Sequence, residues 1–77
     1  MTLKIISAED ILFQGEVNSV TLPGAMGSFT VLRNHASLIS TLTSGLVTYN
    51  EDGIENSVEI GGGLVDVDSN VVSVCIY

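Results

Sequence analysis

A chain of 77 residues with nine acidic and two basic side chains, net charge −7, has no basic stripe to displace counterions from nucleic acid or to hold an anionic lipid surface. It is long enough for one domain, 1–77, near the lower limit at which a hydrophobic core suffices. The single cysteine excludes an internal disulfide and fits a reducing compartment. The apolar run Leu3–Ile6 is cut by Ser7-Ala8-Glu9-Asp10, so no secretory signal forms, and no window reaches the ~20 apolar residues of a membrane span. A soluble, intracellular protein is expected.

In chain order, the first strand is Leu3–Ser7, followed by a solvated corner at Ala8-Glu9-Asp10 and a short apolar step from Ile11 to a turn at Gly15. Glu16–Leu22 alternates, with Asn18, Val20 and Leu22 on one face and Val17, Ser19 and Thr21 on the other. Pro23 ends it by removing a ladder donor. Gly24 and Gly27 are expected to take backbone angles closed to other residues, giving a tight loop with bare backbone and one exposed thioether, Met26. A phosphate-cradling loop would need a helix behind it, whereas Ser28–Leu32 is strand-like.

The polar break Arg33-Asn34-His35 carries the only arginine and the only histidine. In Ala36–Thr43, Leu38 and Leu42 have helical spacing, but five of the eight residues are Ile, Ser or Thr, which favours strand. After Ser44-Gly45 come a strand Leu46–Asn50, a hairpin turn Asn50–Gly53 and a returning strand Ile54–Ile60. On that strand Ile54, Val58 and Ile60 share one face, and Glu55, Ser57 and Glu59 the other. Gly61-Gly62-Gly63 allows a corner. Leu64–Asp68 puts valines in and aspartates out, Ser69-Asn70 turns, and Val71–Tyr77 sets Val72, Val74 and Ile76 against Ser73, Cys75 and Tyr77. Short strands, turn signals every eight to twelve residues and no convincing helix predict an all-β fold, a flattened antiparallel sandwich or barrel.

No constellation of residues supports an enzyme. One histidine and a distant Cys75 do not make a zinc site. No Gly-x-Ser-x-Gly elbow accompanies His35, which reads as an orienting or interface residue. Asp66 and Asp68 lack the glycine-centred loop and bidentate glutamate of a calcium site and read as a solvated face. Cys75 has no nearby cation in the sequence to lower its pKa and reads as an inert thiol.

Pro23-Gly24 with Gly27, then Phe29-Thr30-Val31-Leu32, His35-Ala36, Leu38, Leu42, Gly45 and Val47 resemble the epsilon subunit of F-type ATP synthases, called delta in mitochondria. Ser7-Ala8-Glu9, Phe13–Val17 and Gly62–Val67 extend the likeness over essentially the whole chain. The resemblance implies a β-sandwich of about ten strands at the foot of the rotating central stalk. It implies no catalysis, no cofactor and no metal. The partners it implies are the gamma subunit and the membrane c-ring, coupling proton transport to ATP synthesis at the cytoplasmic face of a bacterial inner membrane, without direct lipid insertion. The c-ring contact maps onto Gly24, Ala25, Met26, Gly27 and Ser28. The gamma contact maps onto Ser7, His35, Ala36, Ser37 and Leu38. An acidic chain would suit a ring whose exposed loops carry cations, as the family's do.

The chain departs from the family pattern in three ways. Many relatives have glutamate where Ser28 stands, which would replace a charge pair by a neutral hydrogen bond. Many have His-Ala-Pro where this chain has His35-Ala36-Ser37. The family's carboxy-terminal helical hairpin is not among these 77 residues, and from them neither inhibition nor ATP binding is expected. Two other readings exist. A free-standing adaptor for a peptide or small molecule has only generic support. A biotinyl or lipoyl carrier would need a lysine at a hairpin tip, and the only lysine, Lys4, lies in the first strand.

Overall fold

The computed structural model describes residues 1–77 as nine strands and no helix. They are β1 (Thr2–Ile6), β2 (Ile11–Glu16), β3 (Ser19–Leu22), β4 (Phe29–Leu32), β5 (Leu38–Leu42), β6 (Gly45–Glu51), β7 (Ile54–Ile60), β8 (Gly63–Asp68) and β9 (Val71–Ile76). One sheet has the order β2-β1-β9-β8-β5 and the other β4-β3-β6-β7. The sandwich expectation holds, with nine strands where about ten were expected, and both sheets are open, so no barrel closes. One pairing departs from an antiparallel fold: β1 lies parallel to β9, Thr2 opposite Val71 and Ile6 opposite Cys75.

The core follows directly from the period-two alternation, because every second residue of a strand faces the opposite sheet. Leu3, Ile5, Val65, Val67, Val72 and Val74 of the first sheet meet Val20, Leu22, Val31, Val47 and Ile60 of the second, all buried. Phe13 and Tyr49 close one side, their ring centroids 4.4 Å apart and tilted 35°. Two hairpins have two-residue loops with both central residues at positive φ. They are Asp52 (53°) and Gly53 (83°), and Ser69 (49°) and Asn70 (63°). This primed geometry matches the strand twist, and Asn, Asp and Gly tolerate it.

Four expectations need correction. Gly15 makes no turn; it lies inside β2, opposite Leu3. Glu16–Leu22 is not one strand: Glu16 ends β2, and β3 begins at Ser19. Between them the chain crosses from one sheet to the other. The Val17 amide donates to Met1 O and the Asn18 amide to Asn50 O, each at 2.8 Å, so successive amides serve different sheets. Val17 is therefore buried, and Asn18 is exposed rather than sharing the core face of Val20 and Leu22. Ile54 follows the hairpin turn and is 65% exposed, outside the core that Ile60 enters. Gly24 does not have a positive φ; its need for glycine is steric, as set out below.

Candidate functional site

The register sorts the loops to two ends of the sandwich. At one end Leu42 is opposite Gly63, Gly63 opposite Ile76, and Gly45 opposite Ile60. The 23–28 turn belongs here, since Gly24 bridges to Leu42. At the other end Thr2 is opposite Val71 and Glu16, and Ser19 is opposite Leu32 and Asn50. The 33–37 segment belongs there, between β4 and β5.

The 23–28 turn is a projecting tip on a rigid base. The Ala25 amide donates to Thr41 O at 3.0 Å, and the Thr43 amide to Pro23 O at 2.8 Å, so the edge strand β5 holds a turn that grows out of β3. Gly27 N donates to Gly24 O at 3.0 Å and closes the turn. A Cβ at Gly24 would lie 2.6 Å from Gly27 O and 2.8 Å from the Phe29 ring, so only glycine fits. Gly27 has a φ of +126°. Ala25, Gly27 and Ser28 are exposed and Met26 is 100% exposed, while Gly24 is buried as the footing. No residue of the tip is ionisable.

The 33–37 segment is a crossover carrying the chain from β4 in one sheet to β5 in the other. Its turn is closed by His35 N donating to Leu32 O at 3.2 Å, with Asn34 at a φ of 62°. The His35 Nδ1 lies 2.7 Å from Ala36 O, which orients the imidazole. Two bonds join the crossover to the β8–β9 turn, Asn34 N–H to Asn70 Oδ1 and Ser37 Oγ–H to Asp68 Oδ1, both 2.9 Å. Arg33 through Ser37 are exposed and Leu38 is half-buried.

The structure thus gathers His35, Ala36, Ser37 and Leu38 into one segment but does not bring Ser7 to it. Ser7 follows Ile6 at the tip end, and its amide donates to Asp10 O at 2.8 Å. β1, with its five residues, separates the two positions by roughly 16 Å along the sheet. At the Ser7 end, the outer face of the five-stranded sheet carries a row of apolar side chains that the sequence reading passed over, and the next row toward the crossover is Ile39, Asp66, Ser73 and Lys4. Ile39 is 72% exposed, and Thr41, Leu64, Cys75, Ile6 and Ile11 follow one another across the strands. A signal for this exists in β5, where Ile39 alternates against the inward Leu38 and Leu42.

No group of three or more His, Cys, Asp or Glu side chains is placed to hold a metal ion. Burial raises the Tyr49 phenol above its ordinary value, with Glu51 adding to the shift.

Residues 1–76 match the family described as ATP synthase, Delta/Epsilon chain, beta-sandwich domain. The chain belongs to this family. It is 36% identical over 74 residues to the ATP synthase epsilon chain of Leptospira borgpetersenii, covering 96% of itself and 58% of that relative. It is 44% identical over 71 residues to that of a Nitratiruptor species, covering 91% and 55%, and 41% identical over 70 residues to that of Chlorobaculum tepidum, covering 90% and 80%. The chain thus spans a little over half the length of the first two and most of the third. The fold also matches a chain in the OSCP/F1/c-ring assembly of Euglena gracilis mitochondrial ATP synthase, with a TM-score of 0.90 at 22% identity, covering 96% of this chain and 48% of that one. A chain from the central stalk and c-ring of the Tetrahymena thermophila enzyme matches with a TM-score of 0.82 at 11% identity, covering 97% and 61%. At those identities the structural likeness speaks to the sandwich alone. The delta/epsilon sandwich of this chain has the two-ended arrangement described above.

Proposed function

We propose that the chain is the β-sandwich part of a non-catalytic rotor subunit of an F-type ATP synthase. In this reading it joins the gamma subunit to the membrane c-ring, couples proton transport to ATP synthesis, and lies peripherally at the cytoplasmic face of a bacterial membrane. The observation that carries the proposal is the tip at Gly24–Ser28. It projects from one end of the sandwich, lacks charge, and is hydrogen-bonded to both sheets, so a load on it passes into the whole domain. Family membership supplies the context: the relatives are named as ATP synthase epsilon chains.

In this proposal Gly24, Ala25, Met26, Gly27 and Ser28 contact the ring through backbone groups and the Met26 thioether. The gamma contact uses Ser7 and His35–Leu38. These lie at opposite ends, and in this reading gamma follows the outer face of the five-stranded sheet between them. Leu64, Ile6 and Ile11 supply apolar area at the Ser7 end and Ile39 nearer the crossover, with the polar Asp66, Ser73 and Lys4 alongside Ile39. Neither nucleotide nor metal enters the role. The test is co-purification with the gamma subunit of the same organism. A stable one-to-one complex is expected, and failure to associate refutes the proposal.

A further inference from the structure

The gamma contact proposed above uses an exposed crossover, and an exposed segment presents a fixed surface only if something outside it holds it in place. We infer that the β8–β9 turn is that element, with Asn70 the positioning residue for His35–Leu38 and Asp68 its helper. The inference deepens the proposed gamma contact and rests on it for its functional arm.

The β8–β9 turn grips the crossover twice. Asn70 Oδ1 accepts from the Asn34 amide and Asp68 Oδ1 accepts from Ser37 Oγ, each at 2.9 Å, so one bond lies on each side of His35 and Ala36. The main chain of the same turn is fixed independently, because the Thr2 amide donates to Asn70 O at 3.0 Å. Asn70 therefore ties the crossover to the inner strand β1 through its two carbonyl oxygens, one from the side chain and one from the main chain. Its φ of 63° is the left-handed conformation in which asparagine is accepted and from which its amide reaches neighbouring backbone. Asn34 also has a positive φ, at 62°, and its amide is the donor to Asn70 Oδ1. Within the crossover itself, only the His35–Leu32 turn bond and the contact of the imidazole with Ala36 O restrain the chain.

The test uses Asn70→Gly, which accepts the left-handed φ, keeps the Thr2–Asn70 main-chain bond and removes only the side-chain acceptor. Asn70→Asp keeps an Oδ1 acceptor and tolerates the same φ. Two quantities are read on the full chain at about 0.15 M salt. They are hydrogen exchange of the Asn34 amide and affinity for the gamma subunit. Asn70→Gly is expected to speed Asn34 exchange about fivefold, the value of one net hydrogen bond, and to weaken gamma binding about threefold or more. Asn70→Asp is expected to return both to within about twofold of the unaltered chain.

Unchanged Asn34 exchange in Asn70→Gly overturns the inference outright. So does faster exchange with unchanged gamma affinity, provided His35→Ala weakens gamma binding; the proposed function then stands and only the positioning role falls. If the unaltered chain does not bind gamma at all, the proposed function fails and takes the functional role of Asn70 with it. The exchange arm would then report solely on whether Asn70 holds the crossover.

Discussion

Replacing Gly24 by alanine tests whether the tip is a rigid, sterically fixed structure. A Gly→Ala change at a compatible position stabilises by about 0.4–1 kcal/mol, through the entropy of the unfolded chain. Here the sign should reverse. The new Cβ would lie 2.6 Å from Gly27 O and 2.8 and 2.9 Å from two Phe29 ring carbons, where ordinary contact begins at 3.4 Å. The phenyl ring could swing aside, but the carbonyl is main chain, fixed by the turn that Gly27 N closes onto Gly24 O at 3.0 Å. Relief requires opening that turn or lifting it off Leu42. Overpacking of this kind costs about 1–3 kcal/mol, and the lost hydrogen bond adds about 1 kcal/mol. The sum, about 2–4 kcal/mol, corresponds to a fall in Tm of roughly 10–25 °C for a domain of this size. Thermal unfolding followed by circular dichroism reads it directly. If Gly24→Ala melts within about 3 °C of the parent, the tip is soft and the argument for load transfer through it is wrong.

Three further outcomes are expected. Leu22→Ala, which empties a fully buried position in the core cluster that includes Val31 and Val47, should cost about 2–5 kcal/mol in urea unfolding, and a change under 1 kcal/mol would contradict that packing. Burial, with Glu51 second, raises the Tyr49 phenol above its ordinary value of 10.0. The fold thus favours the neutral phenol: its contribution is complete below about pH 10 and is lost as pH rises through the higher folded value. Tyr49→Phe should flatten that alkaline loss in a pH series of Tm; an identical alkaline slope would assign the loss elsewhere. No tip residue is ionisable, but Glu9 and Asp10 lie at the same end of the sandwich, so ring binding should weaken by about two- to threefold between 0.05 and 0.5 M salt. Ser28→Glu should steepen that loss, by up to about fivefold if a ring cation faces it. An unchanged salt profile in Ser28→Glu would place the tip away from any ring cation.

The alternation of Val65 and Val67 with Asp66 and Asp68, and of Val72 and Val74 with Ser73 and Cys75, made the inner strands legible, since burial on one face alone dictates that pattern. The primed turns were legible as Asp52-Gly53 and Ser69-Asn70 for the same local reason. Val17 shows the limit. Val17 and Val20 are three residues apart, so one continuous strand would place them on opposite faces; both are buried because the chain changes sheets between them, the Val17 and Asn18 amides bonding to different sheets. The parallel β1–β9 pairing was equally hidden, since each strand alone reads the same in either direction. In the candidate site, the tip could be read from Pro23, Gly24 and Gly27, which are adjacent in sequence. The grip of Asn70 on Asn34 and of Asp68 on Ser37 could not, because those partners lie 36 and 31 residues apart. The same holds for the distance between Ser7 and His35, which is a property of the sheet and not of either segment.

The central claim is that the tip bears on the rotor ring, and Met26 allows the most direct measurement. It is 100% exposed and does not have a positive φ, so Met26→Trp adds bulk to the tip without straining the backbone. Its Tm should stay within about 3 °C of the parent. In membranes containing the assembled enzyme, the ratio of proton pumping to ATP hydrolysis should fall severalfold while hydrolysis itself persists. An unchanged ratio, with the variant shown to be folded and incorporated, would contradict the account.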